Sequence, residues 1–368
     1  MRKLNFSFEV IFLNNYSMTL PNYTIGERAY EQIPYFCGKH GSTAVMIGGK
    51  TALAKAAEKI RLNAGEIKIL EEVFYGGESS YENVGLLMKN ESVLAADMIF
   101  SVGGGKSTDT GKCLGDKLGK PVFTFPTIAS NCSCCTAVSI MYKPDGTFIE
   151  PYFFNNAPVH AFIDTQIICE APEKYLWAGM GDTIAKYYEA TISARGESPE
   201  HFKALGLVIS QMCTSPMYEH GPAAYKSNID KIPSEAFKET VLAITVSTGL
   251  ASIMLTRDHT PDYNSGLAHA FFYTLTTLGI EEKHLHGEVV ALGVLICLLY
   301  DGQNEEFMRV RDFCQKVKLP VHLEDIGIDE ATMDRLVPMM CTMSDVRHYP
   351  YKIEPQKLRD TIKILQNT

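Results

Sequence analysis

Runs of basic residues are absent from this sequence. Lys and Arg number 34 against 43 Asp and Glu, so the net charge is −9. A domain that binds nucleic acid generally carries a basic patch that neutralises phosphates. The acidic balance therefore argues against general nucleic-acid binding, and we expect no nucleic-acid partner. A local basic site for a single phosphate stays compatible with this balance.

Long apolar runs are lacking as well. The longest, VVALGVLICLLY (Val289 to Tyr300), is well short of the roughly 20 residues that a membrane-spanning helix needs. The opening stretch MRKLNFSFEVIFLNNY has two basic residues, but its apolar run is short and contains Glu9, unlike a secretory leader. We therefore expect a cytoplasmic protein with no membrane partner.

Paired cysteine motifs are missing too, although the chain has ten cysteines. Three lie close together, Cys132, Cys134 and Cys135, but without the C-x-x-C spacing of a structural zinc site. A nucleophilic thiol would need a partner base, and the sequence identifies none. We expect free, reduced thiols that form a pocket wall, and sensitivity to oxidation stays open.

The chain does have length and apolar content: 368 residues, of which 46% are hydrophobic, suit two domains. Alternating strand and helix patterns predict a parallel, doubly wound, Rossmann-like α/β domain over residues 1–170. From 171 to 368 only helical patterns occur, which predicts an all-helical second domain and a cleft between the two. The predicted strands cover 42–49, 67–77, 98–105 and 121–127, and the predicted helices of the first domain cover 51–65, 79–97 and 106–119.

A glycine-rich turn, SVGGGKSTDTGK (Ser101 to Lys112), connects a predicted strand to a predicted helix. Glycines let a backbone approach a pyrophosphate closely, and a helix N-terminus offers free N–H groups and a positive dipole. The spacing matches neither G-x-G-x-x-G nor a P-loop. A dinucleotide site and a plain strand–helix turn both stay open on this motif alone.

Two histidines and one aspartate form a candidate metal site. Asp182, in GMGDTIAKYYEA, is predicted at the start of a helix, where a simple N-cap is the alternative. His269 lies in an apolar helical stretch, and His286 directly precedes another; each alone would more often be a hydrogen-bonded core residue. Spacing cannot prove the site, because the three residues come from different helices.

Five segments carry a resemblance to a known family: GGGKSTDTGK, PTIAS, YKPDG, APEKYLWAGMGDTIAKYYEA and LHGEVVALG. From about Ser42 to the C-terminal RHYP, the chain resembles the glycerol dehydrogenase branch of the iron-containing (group III) alcohol dehydrogenases, close to hydroxycarboxylate dehydrogenases. The resemblance implies a dinucleotide-binding α/β domain, an all-helical domain for metal and substrate, and a divalent metal between them.

The resemblance implies the ligands of that metal, which are Asp182, His269 and His286. The wider family usually has a histidine four residues after the aspartate, where this chain has Lys186. Three protein ligands and an open position are typical of catalytic zinc, so we expect zinc rather than iron or another divalent metal. The implied reaction transfers hydride between a secondary alcohol or ketone and a nicotinamide.

The implied cofactor, NAD or NADP, has its own set of residues. Gly49 stands where NAD-preferring relatives often have an acid, and Lys50 beside it suits a 2′-phosphate, so we expect NADP. The other residues assigned to the cofactor are Gly104, Gly105 and Lys106 at the pyrophosphate, Asp109 in the same motif, Thr127 and Ser130 in the channel, and Thr136, Val138 and Tyr142 near the nicotinamide ribose.

Two positions bear on the substrate. Cys132 stands where glycerol dehydrogenases have an aspartate, and a neutral thiol no longer repels an anion. Lys186 is predicted either to pair with a substrate carboxylate or to be a solvated helix lysine. We expect a small 2-hydroxy or 2-oxo acid or a polyol. Relatives often have a histidine at Phe272; His284 is a candidate for its role, or a surface residue.

Three alternatives stay in view. A true glycerol dehydrogenase would oxidise glycerol to dihydroxyacetone. A lyase or cyclase resembling dehydroquinate synthase would use NAD transiently, but Asp182 and the missing basic cluster argue against it. A non-catalytic nucleotide-binding relative is disfavoured by the complete ligand set. Family precedent also favours a homo-oligomer.

Overall fold

A computed structural model describes residues 16–279 and 284–368 of the chain. Within them every strand lies before residue 164. The strands are β1 (Asn22–Ile25), β2 (Thr43–Gly48), β3 (Lys68–Phe74), β4 (Met98–Gly103), β5 (Val122–Pro126), β6 (Val138–Tyr142), β7 (Phe148–Phe153) and β8 (His160–Ile163).

The helices are spread over the whole described chain, and those after residue 172 form the second half. They are α1 (Ile33–Cys37), α2 (Lys50–Asn63), α3 (Tyr81–Leu87), α4 (Glu91–Ala95), α5 (Gly105–Leu118), α6 (Thr165–Glu170), α7 (Glu173–Ser193), α8 (His201–Ser210), α9 (Ser215–Asp230), α10 (Glu235–Leu242), α11 (Thr248–Leu255), α12 (Leu267–Thr277), α13 (His286–Asp301), α14 (Asn304–Val317), α15 (Glu330–Met340) and α16 (Pro355–Gln366).

Six strands form one parallel sheet in the order β1-β8-β5-β4-β2-β3. Strands β2 and β4 are almost entirely buried, because helices cover both faces of the sheet. The predicted α/β fold with a helical second half is confirmed. Strands β1 and β8 of this sheet and the antiparallel hairpin β6–β7 were not predicted.

The sheet has a switch point between β2 and β4. From β2 the chain moves outward to β3, then returns to place β4 on the other side of β2 and continues to β5. Successive connections therefore diverge at the carboxyl ends of β2 and β4, which leaves a crevice where doubly wound proteins bind ligands. Gly49 and Gly104 follow these two strands directly.

The helix predicted over 79–97 is wrong in its continuity, because two helices, α3 and α4, occupy this range. Asn90 separates them and caps α4, since its side-chain oxygen accepts a hydrogen bond from the Val93 N–H at 2.8 Å. An asparagine that bonds the backbone in this way competes with helix continuation.

Among the residues that the structure describes, one stretch, Glu235–Leu255 in the helical half, is long and apolar enough to cross a membrane by length and composition. It joins α10 and α11 through a π-helical turn, Ala243–Ser247. Within its apolar window 72% is buried inside the protein, as expected for a core helix. The predicted domain boundary at 170/171 falls between α6 and α7 and stays a prediction.

Candidate functional site

A cavity of about 1130 Å³ lies between the sheet and the helical half. Its walls come from the carboxyl ends of β2, β4 and β5 on one side and from α7, α12 and the start of α13 on the other. Eleven of the residues singled out in the sequence line it: Gly49, Lys50, Gly104, Gly105, Lys106, Thr127, Ser130, Tyr142, Phe272, His284 and His286.

At the glycine turn, backbone atoms without side chains line the cavity. Strand β4 ends at Gly103 with a φ of 138°, a conformation that favours glycine, and α5 begins at Gly105 without a capping side chain. A Cβ on Gly104 would lie 2.5 Å from Ile128 Cδ1, and one on Gly105 would lie 2.5 Å from Asn131 Nδ2. The first N–H groups of α5 are thus available to an anion, which fits a cofactor pyrophosphate.

Lys106 has partners inside the same cavity. Its Nζ lies 2.5 Å from Glu78 Oε2 and 5.4 Å from the centre of the Tyr142 ring. Glu78, which follows β3, also lines the cavity and was not singled out in the sequence. A carboxylate just beyond the carboxyl end of a parallel strand is the signal that could have identified it.

Asp109, Thr136 and Val138 do not line the cavity. They surround the buried Lys112, whose Nζ lies 3.0 Å from Asp109 Oδ1 and donates hydrogen bonds to Thr136 Oγ1 at 3.0 Å and the Val138 carbonyl at 2.5 Å. Asp109 also accepts from the Ser133 hydroxyl at 2.6 Å. These contacts join α5 to β6, and the cofactor roles assigned to the three residues stay predictions.

Asp182, His269 and His286 converge although they come from α7, α12 and α13. One ligand atom from each lies within 4.8 Å of the other two. Nε2 of His286 is 3.2 Å and Nε2 of His269 is 3.5 Å from Oδ1 of Asp182. The prediction that Asp182 starts a helix is wrong, because α7 begins at Glu173 and Asp182 lies in its middle.

Glycines explain why these helices come so close. A Cβ on Gly287 would lie 1.7 Å from the Ala178 carbonyl oxygen, and one on Gly181 would lie 2.2 Å from the Gly287 carbonyl oxygen. A Cβ on Gly179 would lie 2.0 Å from the carbonyl oxygen of Ala129, in the loop after β5. Helix α7 is therefore packed against both α13 and the sheet side of the cavity at the level of Asp182.

Glu189 orients His269 from behind. Its carboxylate lies 2.6 Å from Nδ1 of His269 and accepts a hydrogen bond from the His269 backbone N–H at 2.9 Å. A proton on Nδ1 leaves the Nε2 lone pair for a cation. Glu189 was missed in the sequence; its position seven residues after Asp182, on the same face of an apolar helix, was the available signal.

The charges of this cluster suit a divalent cation. Burial lowers the pKa of His269, but the Glu189 and Asp182 carboxylates outweigh it and raise that pKa to about 10. Burial likewise raises the pKa of Asp182, while the two imidazoles reverse this and hold it well below its usual range. One carboxylate, from Asp182, and two imidazole nitrogens form a donor set that zinc and related metals accept. The Glu189 carboxylate behind His269 adds a second negative charge to the cluster, so the two carboxylates together match the charge of a divalent ion.

Two further residues beside the cluster, Phe272 and His284, differ in character: the first is an apolar contact and the second forms an ion pair. The Phe272 ring packs edge-on against His286 with ring centres 4.2 Å apart, so this position is a wall of the site. His284 Nδ1 lies 2.9 Å from Glu288 Oε1, and His284 lines the cavity rather than being fully solvated. No described contact joins His284 to the metal-binding cluster.

Of the three clustered cysteines, only Cys132 is partly exposed. Burial, then the nearby Asp182 charge, raise the pKa of the Cys132 thiol to about 12 against the opposing effect of Lys186, so it stays neutral. Cys134 and Cys135 are buried, with their Sγ atoms 3.8 Å apart. All ten cysteines are free, as expected, and no cluster of thiols forms a candidate metal site in the described chain.

Lys186 is buried, so the alternative of a solvated helix lysine is wrong. Its Nζ donates to the backbone carbonyl of Asn264 at 2.6 Å and to Asn264 Oδ1 at 2.7 Å. It lies one helical turn after Asp182, on the same face of α7. Its predicted role toward a substrate stays a prediction.

Comparison with known proteins gives similarity over both halves of the chain. Residues 21–165 match the family model described as iron-containing alcohol dehydrogenase. A glycerol dehydrogenase of Thermotoga maritima is 34% identical over 283 residues, which cover 74% of this chain and 73% of that protein. Hydroxycarboxylate dehydrogenase A of Escherichia coli is 29% identical, covering 90% of this chain and 92% of that protein.

Solved structures agree with this similarity. The crystal structure of glycerol dehydrogenase from Schizosaccharomyces pombe aligns with a TM-score of 0.83 and 25% sequence identity, covering 96% of this chain and 91% of that chain. A probable glycerol dehydrogenase from Sinorhizobium meliloti aligns with a TM-score of 0.82 at 23% identity, over 96% of this chain and 98% of that chain, which shows the same fold.

Proposed function

Because this chain belongs to the iron-containing alcohol dehydrogenase family, and is therefore an oxidoreductase that acts on CH–OH groups, we propose the finer assignment that follows. The enzyme transfers hydride between NADP or NAD and the secondary alcohol or ketone of a small 2-hydroxy or 2-oxo acid. The observation that carries this proposal is the convergence of Asp182, His269 and His286 beside a cavity that also contains the glycine turn.

Each ligand class has its own residues. A cation held by Asp182, His269 and His286 supplies Lewis-acid chemistry to the substrate oxygen, and three protein ligands favour zinc. A nicotinamide cofactor supplies the hydride chemistry. Gly104, Gly105 and the N–H groups of α5 bind its pyrophosphate. Thr127 and Ser130 line its channel.

The end of β2 supports NADP as the preferred cofactor. Gly49 carries no acid that would repel a 2′-phosphate, and Lys50 lines the cavity beside it. The Lys50 Nζ lies 5.2 Å from the centre of the Phe74 ring, and Lys50 forms no ion pair with a carboxylate of the described chain. The Lys50 ammonium would pair with a phosphate on the 2′ position of the adenosine ribose.

Cys132 and Lys186 support an acid as substrate. Cys132 is neutral where a carboxylate would repel an anion, and Lys186 supplies a positive charge one turn from Asp182. Glycerol is the second candidate, because the Thermotoga maritima relative is named as a glycerol dehydrogenase. We further propose a cytoplasmic homo-oligomer whose partners are small molecules, with no nucleic-acid or membrane partner.

The test is spectrophotometric. Purified protein loaded with zinc or ferrous iron is supplied with NAD or NADP, and absorbance in the reduced-nicotinamide band is followed. Glycerol, 1,2-propanediol, 2-hydroxybutyrate and 2-hydroxyglutarate distinguish the substrate classes. We expect the fastest turnover with zinc, NADP and a 2-hydroxy acid. Full activity after chelation and removal of metal would refute the metal-dependent mechanism.

A further inference from the structure

The ammonium of Lys186 is a buried charge without a counter-charge. The residue is 6% exposed, and its Nζ donates hydrogen bonds to two neutral oxygens, both of Asn264. Within residues 16–279 and 284–368, Lys186 forms no ion pair. No carboxylate oxygen of these residues therefore lies within 4 Å of its Nζ. Buried charges are normally paired, because desolvation is otherwise costly. An uncompensated one beside a reaction site indicates an anionic ligand.

The surrounding charges leave that ammonium uncompensated even when the metal site is filled. Asp182 and Glu189 together balance one divalent cation. The side chain at position 132 is a cysteine thiol and supplies no carboxylate to the site. The remaining positive charge belongs to Lys186, so the site as a whole suits a substrate with one negative charge.

Asn264 is held in place from both sides. It lies in the loop between α11 and α12, and both neighbours in sequence are tied to other parts of the helical half. The Tyr263 hydroxyl donates to Glu197, and the Ser265 hydroxyl donates to Asp345 Oδ1 at 2.7 Å. The carbonyl and the side-chain oxygen of Asn264 therefore stay where they accept two of the three N–H donors of Lys186.

We propose that Asn264 is a positioning residue that selects carboxylate substrates by directing Lys186. As a neutral double acceptor it orients the ammonium without cancelling its charge, so the third N–H binds the carboxylate of a 2-hydroxy or 2-oxo monocarboxylic acid. This inference rests on the proposed function and narrows it to monoanionic acids. A carboxylate at position 264 would have the same shape but would neutralise Lys186.

The test compares two substrates of nearly equal shape in wild type and in Asn264→Asp. 2-Hydroxypropanoate and 1,2-propanediol share the secondary hydroxyl and differ in carboxylate against hydroxymethyl. We expect Asn264→Asp to lower kcat/KM for the acid about 10- to 100-fold, the range for one charge-assisted hydrogen bond, mainly through KM. The value for the diol should stay within about 3-fold. Calorimetric titration with 2-oxopropanoate should show the same loss of affinity without turnover.

Two further variants keep the test decisive. Asn264→Ser retains a neutral acceptor and should keep the acid preference, and Asn155→Asp adds a carboxylate at an exposed position and should change neither substrate. An equal loss for both substrates in Asn264→Asp, or an unchanged acid affinity, would overturn the inference. A wild type that turns over only the diol would also overturn it, whereas a wild type inactive on every alcohol would refute the proposed function instead.

Discussion

At the scale of single residues, the metal-binding cluster depends on a carboxylate that is not one of its three ligands. Glu189 is fully buried and contacts His269 at both the ring and the backbone. Such a partner fixes which ring nitrogen carries the proton and therefore which one faces the metal. The orientation of His269 is thus set from α7, the same helix that supplies Asp182.

We expect Glu189→Gln to weaken metal binding by about 10- to 100-fold, because the amide holds the His269 ring and its proton less firmly than the carboxylate. Competition with a chromophoric chelator measures the change. Glu306→Gln, which alters a hydrogen bond to Tyr188 in the same half of the protein, is the matched control and should bind metal normally. Unchanged affinity in Glu189→Gln would remove the orienting role.

A second prediction at this scale concerns Cys132. Cys132→Asp places a carboxylate near Lys186 and should reduce kcat/KM for a 2-hydroxy acid relative to glycerol by at least about 10-fold, since it repels the acid and pairs with the ammonium. The ratio of the two substrates in steady-state assays is the measurement. Cys132→Ser stays neutral and should preserve the ratio. The same fall in both variants would mean that packing, rather than charge, matters at this position.

At the scale of secondary-structure elements, the site is built where α7 and α13 approach without intervening side chains. Gly181 and Gly287 allow backbone contact at the level of Asp182 and His286. Helices pack at their usual 8–10 Å when side chains separate them. Here the closer approach brings the ligand atoms of Asp182 and His286, which lie on different helices, to 3.2 Å from each other.

Gly287→Ala should therefore damage both stability and the metal site. The new Cβ would collide with the backbone oxygen of Ala178, and overpacking of this kind costs about 1–3 kcal/mol or more. Thermal unfolding and metal content are the measurements, with a fall in both expected. Gly85→Ala is the control, because a Cβ there meets nothing within 4 Å and should leave both values unchanged or slightly improved. Normal metal content in Gly287→Ala would contradict the close-approach argument.

The carboxyl end of β2 allows a sharp test of cofactor preference. A Cβ on Gly49 would lie 3.7 Å from Tyr75 Cε1, which is ordinary contact, so Gly49→Asp fits without strain. The new carboxylate should favour the ribose diol and repel a 2′-phosphate, shifting the ratio of kcat/KM from NADP toward NAD by about 10-fold or more. Gly49→Asn has nearly the same shape without the charge and should shift the ratio little. An unshifted ratio in Gly49→Asp would place the 2′-position elsewhere.

At the scale of the whole molecule, the cavity is lined by the sheet half of the chain on one side and by the helical half on the other. The sheet half presents the glycine turn and the end of β2, and the helical half presents the metal ligands. The two halves meet through α7, whose Gly179 packs on Ala129, and through the hairpin β6–β7, whose Phe148 ring lies 5.3 Å from that of Tyr273 in α12. Ligands bound to either half are therefore expected to stabilise the native protein.

Zinc and reduced NADP should each raise the melting temperature in a concentration-dependent way, since a ligand at 100 times its Kd adds about 2.7 kcal/mol to stability. Differential scanning fluorimetry is the measurement. His286→Ala should abolish the shift with zinc and keep the shift with NADP, because only one ligand class loses its site. His284→Ala, which leaves the three ligands intact, should keep both. Loss of both shifts in His286→Ala would mean that the cofactor does not bind independently of the metal-binding cluster.

The sequence by itself determined the α/β half, its succession of strands and helices, the glycine turn and the identity of three residues able to bind a metal. These features are readable because alternation, glycine placement and residue chemistry are local properties of the chain. The points where helices begin and end were predicted less well, as Asn90 and the mid-helix position of Asp182 illustrate. Helix ends depend on competition between side-chain and backbone hydrogen bonds.

Only the tertiary structure decided which of these residues meet. Asp182 and His286 are far apart in sequence and come together because two glycine surfaces bring their helices into contact. The positions of Glu189 and Glu78 left a signal in the sequence, but their partners His269 and Lys106 were decided by packing. The contact of Asn264 with Lys186 has no counterpart in the spacing along the chain, because it arises where the loop before α12 packs on α7. Contacts between distant segments depend on the shape of whole buried surfaces, and that shape exists only once the helices and the sheet are packed.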